Sequence, residues 1–170
     1  VELPQLKGTQ DYVGVNYYGR FYVESKLFDL ANPKIHFYDP RLPDEVRSDL
    51  DWAIYPHGFF QVLAATHERY GKPIYVLENG LADAQDDDKR RQQFLVTHIR
   101  ELWNAINHAG ADVRGYMHWS FIDNFEWAEG FSARFGLIRT EYENEFKRAP
   151  RPSAYLYRDI INANGISSEV

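Results

Sequence analysis

An α/β fold of repeated βα units, part of a (β/α)8 barrel, is what these 170 residues predict. Three observations lead there. Short apolar runs alternate with stretches of helical periodicity, the pattern of buried parallel strands joined by helices. Polar and aromatic residues gather where each apolar run ends, and barrels place their reactive groups at the C-terminal ends of strands. No G-x-G-x-x-G follows a strand, which weakens the other architecture with this order, a small doubly wound sheet.

The first strand spans Asp11 to Tyr18, short, apolar and β-branched in its middle. From Gly19 to Pro56 the sequence reads as irregular, punctuated by Pro33, Pro40, Pro43 and Pro56. A helix follows over Gly58 to Tyr70, with Phe59, Val62, Leu63 and Thr66 at helical spacing and Gly71 as its stop. Ile74 to Leu77 is the second strand and runs into Glu78-Asn79-Gly80. A long helix spans Asp88 to Ala109. Asp86 to Asp88 suit its positive N-terminal end, and Gly110 closes it. Its apolar stripe is Phe94, Leu95, Ile99, Leu102, Trp103 and Ile106. The third strand runs from Val113 to Phe121, and Arg134 to Tyr142 forms a further extended segment. Ser153 is a candidate cap for a last helix over Ala154 to Ala163.

Bulk properties exclude several functions. Apolar residues make up 44%, charged residues 26%, and the net charge is −6, so the chain reads as soluble and globular. An acidic balance disfavours nucleic acid and anionic membrane surfaces. No apolar run reaches the roughly 20 residues of a membrane span. Cysteine is absent, so disulfides, thiolate metal sites and cysteine nucleophiles are out. A cytoplasmic location fits, and a processed secreted chain without cysteine would look the same. The sequence starts at Val1 and its only methionine is Met117, as in a fragment, a processed product or an engineered piece.

Three groups of residues could carry chemistry. Glu78 sits at the end of a buried apolar strand, where an unpaired charge costs several kcal/mol. A solvated strand-end glutamate and a buried functional one are both open readings. Asp123-Asn124-Phe125-Glu126-Trp127 offers two carboxylates, an amide and two aromatic faces, a mixture suited to sugar hydroxyls. A structural turn is the competing reading. In Asn16-Tyr17-Tyr18, strand alternation puts Asn16 and Tyr18 on one face and Tyr17 on the other. The second strand thus ends in Glu78 and Asn79, and the third in Trp119 with the acidic segment just beyond. Six histidines occur without an H-x-x-x-H or HExxH pattern, so no metal and no other cofactor is expected.

VGVNYYG at Val13 to Gly19, IYVLENG at Ile74 to Gly80, and HWSFIDNFEWAEGFSARFGLI at His118 to Ile138 together resemble glycoside hydrolase family 1, the β-glucosidase and β-galactosidase-like enzymes. YPHGF at Tyr55 to Phe59 and YRDIINANG at Tyr157 to Gly165 add to it, and the similarity covers nearly the whole chain. The resemblance implies that residues 1–170 are the C-terminal portion of a single (β/α)8 domain. They would supply its sixth, seventh and eighth strands with their helices, without the N-terminal strands.

It also implies roles. Glu78 would be the nucleophile of a retaining β-glycosidase, Tyr18 would donate to it, and Asn16 would line the same subsite. Glu126 would bind the 4- and 6-hydroxyls of the sugar, and Trp127 would contact its 3-hydroxyl side. Trp119 would be the platform and Phe135 the wall of the pocket. Substrates would be β-D-glucosides or oligosaccharides, with galactosides and fucosides left open.

A retaining enzyme needs two carboxyl groups roughly 5–5.5 Å apart. The family's acid/base lies in an Asn-Glu-Pro motif, and none occurs here, since Asn144-Glu145 continues into Phe146. The family's N-terminal sugar contacts are missing as well. Leu77 stands where the family usually has threonine. The expected partner is therefore a complementary N-terminal barrel fragment or a second copy, and the isolated chain is expected to be inactive. The alternative is a sugar-binding or structural module that has lost catalysis.

Overall fold

The computed structural model describes residues 3–26 and 29–166. In chain order these form β1 (Val13–Asn16), β2 (Tyr22–Lys26), β3 (Asp29–His36), α1 (Pro56–Tyr70), β4 (Ile74–Glu78), α2 (Lys89–Ala109), β5 (Val113–Tyr116), β6 (Ile138–Glu141), β7 (Lys147–Pro150) and α3 (Pro152–Ala163). The three strands β1, β4 and β5 make one parallel sheet in the order β1-β4-β5. Helical crossovers link them, as parallel pairing requires.

One face of this sheet carries the core. Ile74 and Val76 of β4 and Val15 of β1 pack with Phe59 and Leu63 of α1 and Ala105 of α2. Phe59, Leu63, Ile74 and Val76 are wholly buried, each contributing roughly 1.5–3 kcal/mol of transfer free energy. Strand alternation sends Tyr75 and Leu77 to the other face, where Leu77 is 41% exposed. Helices α1 and α2 stop at Gly71 and Gly110, both in the left-handed region. No described helix is long and apolar enough to cross a membrane.

Several expectations need correction. The Gly19 to Pro56 stretch is not wholly irregular, because β2 and β3 pair antiparallel with Val23 opposite Ile35. Proline within a run argues against a strand, but Pro33 falls where the register shifts, beyond the Glu24–Lys34 pair, in a ribbon of only two strands. The first and third strands are shorter than predicted, since the chain leaves the ladder after Asn16 and Tyr116. The segment after Arg134 holds β6, whose unforeseen partner is β7.

Ser153 does not cap α3. Arg151 is the capping residue, Pro152 opens the helix, and the Ser153 amide donates to Asp88 Oδ2 at 2.7 Å. Asp88 in turn gives α2 no side-chain cap; its carboxylate pairs with Arg91, wholly buried on that helix. Trp103 of the predicted apolar stripe is 54% exposed.

Candidate active site

The C-terminal end of β4 brings Glu78 beside the end of β1, with Asn16 opposite it in register. The Tyr18 hydroxyl donates to Glu78 Oε2 at 2.7 Å. Burial, the bond to Glu78 and the charges of Glu78 and Glu126 hold the Tyr18 phenol well above its ordinary pKa. It is therefore a permanent donor at neutral pH, which suits an ionised carboxylate. Tyr17 takes the opposite face, as alternation required. It stacks on Phe59 at 5.2 Å, and its hydroxyl donates to the Tyr55 carbonyl at 2.6 Å. Burial raises its pKa too.

Around Tyr18 lies an aromatic cluster. Phe135, 2% exposed, meets the Tyr18 ring edge-on at 6.0 Å. Trp119 packs in the same cluster with Ala82 and Ala133. Tyr18, Glu78, Trp119, Phe135 and the Glu126 charge thus converge on one region. Trp127 stands apart. It lies in a 3-10 turn at φ 43°, 82% exposed. Asn16 is exposed at the rim.

Two residues read as facing the site do not. Asn79 is wholly buried and turned into the sheet. Asp123, 4% exposed, accepts from the amides of Gly136 (2.8 Å) and Thr140 (3.2 Å) and from Arg151 (3.0 Å). It is the hub of the loop after β5 rather than a sugar ligand. Asn124 likewise donates to Ser120 Oγ and the Ile122 carbonyl, closing a turn.

Trp52 was not foreseen. Its ring meets Tyr18 at 5.5 Å and Phe135 at 6.1 Å. Ser48 Oγ accepts from the Leu50 and Trp52 amides, both at 3.2 Å. Asp49 Oδ2 accepts from the Ala84 amide at 2.7 Å, and Arg90 bridges Asp49 to Asp83. The polar residues Ser48, Asp49 and Asp51 just before an aromatic residue are the available signal; their long-range partners are not.

Two imidazoles lie largely away from solvent: His98 is wholly buried and His118 half-buried. Burial lowers the pKa of His98 to about 4 and, with the nearby Arg91 charge, that of His118 to about 3. Both are neutral at pH 7. Among the described residues, no group of three or more histidine, aspartate or glutamate side chains is placed to hold a metal ion.

The model of the glycosyl hydrolase family 1 matches residues 1–166. The chain belongs to that family. A β-galactosidase of Sulfolobus acidocaldarius is 42% identical over 97% of the chain and 34% of its own length. β-Glucosidase A of Thermotoga maritima is 35% identical over 97% of the chain and 37% of its own length. The solved β-glycosidase of Pyrococcus horikoshii superposes with a TM-score of 0.82 at 38% identity, over 94% of this chain and 36% of that one. The chain thus spans about a third of the length of the relatives it matches. Its three parallel strands and their helices are part of the family's (β/α)8 barrel.

Proposed function

We propose that this chain carries the nucleophile half of a retaining β-glycosidase, with Glu78 as nucleophile and strands six to eight of the barrel as its frame. The observation that carries the reading is the 2.7 Å bond from Tyr18 to Glu78 at the C-terminal end of the central strand. A Glu78 oxygen would attack the anomeric carbon as the bond to the leaving oxygen breaks. A second carboxyl group would protonate that oxygen. Water would then release the sugar, with the second carboxyl group as base.

That second group is supplied by a complementary N-terminal part of the barrel. The open edges of β1 and β5 and the face on which Leu77 is exposed support such a partner. β-D-Glucosides are the proposed substrates, with galactosides and fucosides beside them, in keeping with relatives named β-glucosidase and β-galactosidase. Glu126, Trp127, Trp119, Phe135 and Asn16 would hold the sugar, with Trp52 added to the wall.

The test mixes the chain with an N-terminal barrel fragment and assays 4-nitrophenyl β-D-glucoside. The chain alone is expected to be inactive. The mixture is expected to hydrolyse the glucoside, and Glu78→Gln to reduce the rate on the order of 10³-fold or more. Hydrolysis by the chain alone at the size of a single copy would contradict the need for a partner, and hydrolysis at double size would make the partner a second copy. Glucose binding without recoverable activity would instead favour a sugar-binding module.

A further inference from the structure

We infer that Asn79 is the positioning residue of this site: its buried side-chain amide ties together the segments that carry Glu78, Tyr18 and Trp119. The inference rests on the reading of Glu78 as nucleophile. Asn79 follows Glu78 directly and has no solvent exposure. Its Nδ2 donates to the Tyr17 carbonyl of the β1 segment at 2.7 Å. Its Oδ1 accepts from the Tyr116 hydroxyl of β5 at 2.8 Å. Its own carbonyl accepts from the Trp119 amide at 3.0 Å. The Tyr17 amide returns to the Glu78 carbonyl at 2.9 Å. Tyr116 is braced in turn, because the Tyr157 hydroxyl of α3 donates to its carbonyl at 3.0 Å.

Chemistry explains why the residue is asparagine. The Tyr17 carbonyl can only accept, so a donor must face it. The Tyr116 phenol faces the other end and is placed as a donor, so an acceptor meets it. A primary amide offers both at the two ends of one short planar group, and glutamine carries one methylene too many for a packed interior. Aspartate would set a carboxylate against a carbonyl with no proton between them. Leucine would leave both partners buried and unpaired, at about 1–3 kcal/mol each.

Gly80 completes the arrangement. A Cβ there would lie 1.6 Å from the Trp119 carbonyl oxygen, so only glycine lets the Trp119 backbone come this close. The named strands end at this level, and the register between β1 and β4 shifts between Val15 and Asn16. The amide adds two side-chain bonds to the backbone ones where the reacting carboxylate must be held still. Misplacing a reacting group by an ångström costs roughly 10²-fold in rate.

The test compares Asn79→Asp and Asn79→Ala with the unmodified chain in the complemented barrel. Each variant is expected to lower kcat on the order of 10²-fold with little change in KM, because sugar contacts remain while the carboxylate and its donor drift. Folded variants with unchanged kcat would overturn the inference. If neither variant folds, Tyr116→Phe removes only the donor to Oδ1. A lower kcat with unchanged circular dichroism supports the role, and an unchanged kcat overturns it.

A second readout needs no activity. In a [13C]tyrosine-labelled chain, with the Tyr18 signal assigned by Tyr18→Phe, Tyr18 should stay protonated well past pH 10, the ordinary value. In Asn79→Ala, or in Tyr116→Phe where that variant does not fold, it should titrate closer to that value. An inactive wild-type mixture would defeat the function proposed above, and this titration alone would then decide the role of Asn79, an unmoved Tyr18 overturning it.

Discussion

Two parts of the site are held in opposite ways. At the Glu78 corner, side chains at and just past the ends of β1, β4 and β5 make bonds that cross the sheet. At the Glu126–Trp127 arm, the segment is closed by local backbone bonds. The Glu126 amide donates to the Gly130 carbonyl at 2.7 Å and the Glu129 amide to the Glu126 carbonyl at 2.8 Å. The corner is tied by bonds between residues 37 to 62 positions apart in sequence. The arm has a rigid base at Asp123 and an exposed tip at Trp127. Chemistry that needs a fixed nucleophile sits in the corner, and the arm offers the exposed surface that a sugar or the rest of a barrel would cover.

Among the substitutions, the largest expected effect lies at the base of the arm. Asp123→Ala strips the buried Arg151 guanidinium and two amides of their acceptor, and should cost about 3–5 kcal/mol in urea unfolding. A loss below about 1 kcal/mol would mean that the arm is held by its backbone alone.

At the corner, Gly80→Ala adds one carbon against the Trp119 carbonyl. It should cost about 1–3 kcal/mol, and the complemented barrel should lose activity beyond that loss of stability.

Acid should weaken the fold as a whole, by an amount that grows with each pH unit. His98 and His118 have folded pKa values of about 4 and about 3, below the unfolded value of roughly 6.5. The unfolded chain therefore binds more protons below that value. Their contribution to stability is complete above pH 6.5 and is lost as pH falls towards 3, by up to roughly 1.4 kcal/mol per pH unit for each imidazole. Urea midpoints measured from pH 7 to pH 4 should fall, and His118→Phe should flatten the slope.

The smallest effect is predicted at the tip. Trp127→Ala should change stability by less than about 0.5 kcal/mol while raising KM in the complemented barrel.

How much of this the sequence could show depends on where each residue finds its partners. Strand β4 and helix α2 were legible because an apolar run and a 3.6-residue stripe are local patterns. The split between Tyr17 and Tyr18 followed from alternation alone. Ribbon β2–β3 was hidden by Pro33, whose place in a register shift no local rule reveals. Asn79 and Asp123 were read as facing the site because a sequence shows a polar group but not its direction. Both turn inward to acceptors and donors up to 62 residues away. Trp52 was missed for the same reason, since Ser48, Asp49 and Arg90 hold its segment against residues 82–84.

The most direct test of Glu78 as nucleophile is to trap it. A 2-fluoro-substituted β-glucoside with a good leaving group, incubated with the complemented barrel, should leave a covalently bound fluorosugar. Mass analysis of the digested protein should place it on the peptide that contains Glu78. A label on any other carboxylate, or turnover of the glucoside with no label at Glu78, would contradict the assignment.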